Sequence, residues 1–211
     1  MTSSSDGQLL RAYRSGDRGA FTELVLRHEA ALLRHARALL GSGSTFEDVV
    51  QEVFLKLAQV PPELPPECDG DPELERLHLA SWLHKVTRNA CMDVIRGESR
   101  RKRREKTAAA SEGHSGGMTV VEERDTRAAV RRELERLPID QREVLVLRLL
   151  DERSYKEIAE ITGRKVGTVG WLISVGLKTL GEKLGPLLSG EKNTEHGASP
   201  VRIDLLQGET S

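Results

Sequence analysis

The chain has 211 residues, enough for one ordinary domain or two small ones, each with a core of its own. A formal net charge of −1 excludes a uniformly basic nucleic-acid binder, so any phosphate-binding charge must be local. With only 3% aromatic residues, the cores must be built from Leu, Val, Ile and Ala. The first residues, MTSSSDGQ, lack the basic start and apolar run of a signal peptide, and no apolar stretch approaches the length of a membrane span. This predicts a cytoplasmic protein without membrane insertion.

Leu9, Leu10 and Tyr13 then form a short apolar stripe that ends at Ser15-Gly16-Asp17, where Asp17 can cap the next helix. Phe21, Leu24, Val25, Leu32, Ala36 and Leu39 hold one face of that long helix until Gly41. His28 and His35 sit among arginines and leucines and read as surface or core-edge residues. Thr45 is expected to cap the following helix, FEDVVQEVFLKLAQV, with Asp48 at the capping-box position. Val49, Val50, Val53, Phe54 and Leu57 make its buried side, which leaves Glu47, Asp48, Gln51, Glu52 and Lys56 for solvent or a partner. From Pro61 to Glu75 the chain reads as an exposed acidic loop. Cys68 in that loop and Cys91 beyond it match no metal-ligand or redox spacing.

A third helix is predicted from near Leu79. Trp82, Leu83, Val86, Ala90 and Val94 pack inward, while Lys85, Arg88, Asn89, Asp93 and Arg96 take other faces. Trp82 reads equally well as a core residue or as a platform for a stacked base. After Gly97 comes Arg100-Arg101-Lys102-Arg103-Arg104, the densest positive run in the chain. Because it continues a helix that already carries Arg88 and Arg96, it reads as a phosphate footprint more than as a solubilising tail.

Thr107 to Asp125 is a small-residue, acidic linker whose ends, as a flexible coil, lie about 20–25 Å apart. A second helical domain follows, with Val130, Leu134 and Leu137, then Val144, Leu147 and Leu150. Ser154 and Glu157 form a capping box, and Gly163 ends the short helix that starts at Tyr155. The next helix is expected to bury Val166, Val169, Ile173, Leu177, Leu180 and Leu184 on one face, with Thr168 and Lys178 pointing away. This is helix-turn-helix spacing, although helical hairpins turned on a glycine also occur in ordinary all-α cores. Residues 189–211 read as a disordered tail with one small apolar patch, Val201 to Leu206. The fold class is therefore all-α: two small helical domains joined by a flexible linker, the second containing the helix-turn-helix.

Five ordered blocks carry a family resemblance: FEDVVQEVFLKL, ASWLHKVTRNACMDVIR, its basic extension, the linker, and LPIDQREVLVLRLLDERSYKEIAEITGRKVGTV. Together they resemble the bacterial sigma-70 family, and more narrowly its extracytoplasmic-function (ECF) group, over roughly residues 6 to 187. The resemblance implies a region 2-like domain over 6–105, a linker over 106–125, a region 4-like domain over 126–188 and the tail. It further implies that Asp48, Gln51, Glu52 and Lys56 meet the clamp helices of the polymerase β′ subunit. Lys85, Arg88, Asn89, Asp93, Arg96, Arg100, Arg101 and Arg103 would meet the −10 promoter element and hold its melted strand. Arg164, Lys165, Thr168, Trp171 and Lys178 would read the −35 element, in a domain that also sits on the β flap. Core RNA polymerase, promoter DNA and an anti-sigma factor are the implied partners, with no cofactor, no metal and no catalytic residue.

The sequence itself has no Gly-rich phosphate loop and no acidic dyad or triad, which agrees with a non-enzyme. One block departs from the family. Where the pattern runs G-T-V-K-S-R-L, this chain has Gly167-Thr168-Val169-Gly170-Trp171-Leu172-Ile173, without the arginine that would pair bidentately with guanine. Two other readings therefore stand beside the sigma factor: a stand-alone helix-turn-helix regulator, and a sigma-derived protein whose second domain binds a regulator through Trp171 and Val175.

Overall fold

The structure, a computed structural model, describes residues 4–41, 45–108 and 126–189. Helix α1 (Asp6–Arg14) begins at a capping box made by Ser5 and Gln8. Asp17 caps α2 (Arg18–Leu40) by accepting from the Gly19 and Ala20 amides. Helix α3 (Phe46–Gln59) follows, then a single 3₁₀ turn at Pro66–Cys68, then the long α4 (Pro72–Ala108). Helix α2 is the axis of this first unit, with α1, α3 and α4 packed around it. Leu10, Leu24, Leu32, Leu57, Leu79 and Leu83 are its largest fully enclosed aliphatic residues, as the low aromatic content requires.

The second unit holds α5 (Thr126–Arg136), α6 (Ile139–Leu149), α7 (Tyr155–Thr162) and α8 (Val166–Ser189). The Ser154–Glu157 capping box is present as the sequence predicts, and Gly163 turns the chain at φ 68°, the left-handed region that only glycine enters without strain. Helices α6, α7 and α8 enclose Val144, Leu145, Leu147, Ile158, Val169 and Ile173. This unit docks on the first: α6 packs on α2, α7 packs on α4, and Ile139 rests against the first core.

Several expectations are corrected. Thr45 occupies the cap position of α3 but makes no side-chain cap bond. Helix α4 begins at Pro72, not near Leu79, because Asp71 Oδ1 accepts from the Glu73 and Leu74 amides. Glu75 therefore does not lie in an exposed loop. It is buried, its Oε2 accepting from the Gly7 amide at 3.1 Å and its Oε1 3.3 Å from Arg11. His28 and His35 are also buried, each beside a carboxylate supplied by another helix: His28 Nε2 lies 2.8 Å from Asp6, and His35 Nε2 lies 3.3 Å from Glu143. On α8, Val166 and Leu177 are exposed at 45% and 43%, and Leu172 is buried in their place. The linker from 109 to 125 and the tail from 190 lie outside the described residues.

Candidate nucleic-acid and polymerase interfaces

Helix α4 runs unbroken through Gly97, so the basic extension continues the face set by its earlier turns. Lys85, Asn89, Asp93, Arg96, Arg100 and Arg103 are all exposed and recur at spacings of three and four. At about 100° per residue, the six fall within an arc of about 80°. One side of α4 is thus a polar, mainly cationic rail along which a phosphate backbone can run. Arg96 pairs with Asp93 at 2.7 Å and accepts on its carbonyl from Arg100 Nε at 3.3 Å; both side chains of the pair are largely exposed, so the pair contributes little. Arg101 is exposed on a different side of the helix. Trp82 is half-buried against the first core, which favours its packing role over stacking.

Arg88 does not join this rail. Its side chain is only 18% exposed, and its Nε donates to Glu143 Oε1 at 2.9 Å. Sequence periodicity sets Arg88 off the apolar face but cannot show that a carboxylate from α6 meets it there.

On α3, Asp48, Gln51, Glu52 and Lys56 all point outward, opposite the buried Val49, Val50, Val53 and Leu57. Among them lies Leu55, 60% exposed, a residue absent from the sequence-predicted set. The available signal is an apolar side chain on an otherwise polar helix face, one turn beyond Gln51. An exposed apolar residue ringed by charge is a common centre for a protein contact.

In the helix-turn-helix, Lys165, Thr168, Trp171 and Lys178 are exposed, with Trp171 at 61%. Arg164 is partly withdrawn, its Nη2 2.5 Å from Asp140 Oδ1. Thr168, Trp171, Val175 and Lys178 follow one another along the outer side of α8. The predicted reading face therefore exists as a surface, though its chemistry is apolar and lysine-bearing.

Burial raises the pKa of both Cys68 and Cys91, so neither thiol is activated. Both are buried free thiols, and burial together with the nearby Glu143 charge pushes Cys91 up to about 12. Among the described residues, no group of three His, Cys, Asp or Glu side chains is placed to hold a metal ion. None of the described helices is long and apolar enough to cross a membrane.

A helix-turn-helix unit docked on a four-helix unit with a cationic rail defines a two-domain DNA-binding transcription protein. Comparison with known families agrees: residues 24–101 match Sigma-70 region 2, and residues 127–180 match Sigma-70, region 4. The ECF RNA polymerase sigma factor SigM of Mycobacterium tuberculosis is 30% identical over 186 residues, covering 88% of each chain. The ECF RNA polymerase sigma-E factor of Escherichia coli is 29% identical over 194 residues, 87% of this chain and 96% of that one. Two solved structures share the fold. The sigma factor RpoE of Bartonella quintana, in complex with the anti-sigma factor NepR, has a TM-score of 0.59 at 23% identity, covering 78% of this chain and 96% of that one. CnrH, in complex with the cytosolic domain of CnrY, has a TM-score of 0.57 at 24% identity, covering 90% and 100%. This chain belongs to the ECF group of the sigma-70 family: it is an RNA polymerase sigma factor, a non-enzymatic initiation factor whose partners are RNA polymerase and promoter DNA.

Proposed function

We propose that residues 6–105 dock the factor on the β′ clamp helices through Asp48, Gln51, Glu52, Leu55 and Lys56, and capture the melted −10 strand along α4. Residues 106–125 then lead to residues 126–188, which grip the −35 element and the β flap, with Lys165, Thr168, Trp171 and Lys178 toward the duplex. The protein works in the cytoplasm, and an anti-sigma factor is its restraining partner. The observation that carries this reading is the rail of Lys85, Asn89, Asp93, Arg96, Arg100 and Arg103, all exposed on one side of α4. A melted strand offers phosphates that displace counterions at such a surface and bases free to be held beside it.

The test is run-off transcription with reconstituted holoenzyme. Replacing Arg96 and Arg100 together with alanine should lower open-complex formation about ten-fold. It should also reduce the salt slope of single-strand binding by about 1.4, at roughly 0.7 for each phosphate no longer neutralised. Failure of the wild-type chain to bind core polymerase, or normal melting by the double variant, would overturn the reading.

A second reading applies to α8 alone. Trp171 stands 61% exposed one turn before Val175, α8 contains no arginine, and Arg164 just before it is paired with Asp140. Such a face suits a protein regulator. Trp171→Lys separates the two: loss of promoter affinity supports duplex contact, whereas a gain in promoter affinity with loss of a protein partner supports the regulator.

A further inference from the structure

A buried carboxylate sits at the junction of the two units. Glu143 of α6 is fully enclosed, yet its hydrogen-bond neighbours belong to the first unit. Arg88 Nε donates to its Oε1 at 2.9 Å, and His35 Nε2 approaches the same oxygen at 3.3 Å. His84 Nδ1 in turn lies 3.0 Å from His35 Nδ1. An ionised carboxylate only accepts, so the ring nitrogen that faces it is the donor. His35 Nε2 donates to Glu143, and of the two facing Nδ1 atoms of His35 and His84 one donates to the other. The charge on Glu143 is met by Arg88, an ion pair across the junction. Arg34 of α2 and Asp151, just after α6, form a second pair at 2.6 Å on the rim.

Arg88 belongs to the cationic set that the family resemblance assigns to the melted strand, yet here it is engaged by a carboxylate. To a guanidinium, carboxylate and phosphate oxygens are alternative acceptors of the same hydrogen bonds. We infer that Glu143 makes the second unit an internal competitor of promoter DNA: the closed chain holds Arg88 on a carboxylate that a strand phosphate must displace, and separation of the units releases it. This rests on the proposed strand-holding role of α4.

The contact is built to open. Desolvation offsets most of the attraction in a buried ion pair, so it selects one docked geometry without binding it tightly. Glu143 Oε2 and His84 Nε2 are buried without a hydrogen-bond partner among the described residues, and both would gain water on separation. Losing one member of the pair is different, because it strands the other charge in a dry site.

The test uses the full chain and two readouts: the radius of gyration from small-angle scattering, and anisotropy of a fluorescein-labelled mixed-sequence single strand of roughly 20 nucleotides. Glu143→Gln should expand the protein and tighten strand binding about five-fold or more, as the competent population rises. Arg34→Ala, a part-exposed residue whose loss leaves both cores intact, should also expand and tighten. Arg88→Ala should expand without tightening. An unchanged radius in both Glu143→Gln and Arg34→Ala overturns the latch; if circular dichroism shows Glu143→Gln misfolded, Arg34→Ala decides alone. Expansion without tighter binding overturns the competition. The Arg96→Ala, Arg100→Ala pair then locates the fault: if that pair still weakens strand binding, α4 keeps its strand role and only Arg88 was misassigned.

Discussion

Replacing Gly176 with alanine sets two opposed effects of known size against each other. The residue lies inside α8, where helix propensity favours alanine by about 1 kcal/mol. A Cβ at that position would stand 2.9 Å from Leu145 Cδ1, 3.3 Å from its Cγ and 3.5 Å from Gln141 Cβ. Leu145 is wholly enclosed, and swinging its tip aside would leave Cγ in place, so the crowding cannot be relieved by one rotation. Overpacking of this kind costs about 1–3 kcal/mol, which exceeds the propensity gain and leaves a net loss of about 1 kcal/mol. Gly170→Ala is the matched control. Its Cβ would meet Tyr155 Cε2 at 3.5 Å, an ordinary contact with a partly exposed ring, so propensity prevails and the chain gains up to about 1 kcal/mol. Urea unfolding followed by circular dichroism should move the two midpoints in opposite directions. Equal stability of the two variants would refute the close approach of α8 to α6.

The caps offer a second contrast. Ser154→Ala should cost about 1 kcal/mol in the same assay, whereas Thr45→Ala, which removes no cap bond, should stay within about 0.5 kcal/mol. Glu75→Ala strands the Gly7 amide and one ion-pair partner, so α1 should detach first, seen as early hydrogen exchange in Leu9 and Leu10 at a cost of about 1–3 kcal/mol. Acidification should loosen the docked units. Burial, then the positive charge of His35, Arg153, His28 and Arg34, holds His84 well below its ordinary 6.5, with Glu143 reaching the cluster through His35. The docked state therefore keeps its full stability above pH 6.5 and loses it as pH falls below that value, by at most about 1.4 kcal/mol per unit. Scattering at stepped pH should show expansion beginning there. His84→Gln should flatten the profile, and an unchanged radius through this range would contradict the burial of a neutral His84.

Much of the fold was legible because it is written in local periods. The buried side of α3, the capping box at Ser154 and the left-handed turn at Gly163 each depend on residues within one or two turns of one another. The two outward faces, Asp48 to Lys56 and Lys85 to Arg103, were legible for the same reason: an α-helix converts spacing directly into direction. The errors also have physical causes. Val166 and Leu177 lie on the margin of the apolar arc of α8, where spacing alone cannot tell a covered position from a bare one, and Leu172 took the covered place. Glu75 looked like part of a solvated acidic loop because the amide it accepts from lies 68 residues earlier.

The sequence by itself determined two all-α units, a helix-turn-helix and a cationic helix face, and through them the family, because each depends on residues close together in the chain. Only the tertiary structure decided that the units close on each other and that Arg88 turns away from the rail toward a carboxylate. The partners involved, His35 with Glu143 and Arg88 with Glu143, are separated by 108 and 55 residues. No local period encodes such a pairing. It exists only where α2, α4 and α6 meet and exclude water, so that a buried charge must find its counter-charge there or remain unpaired.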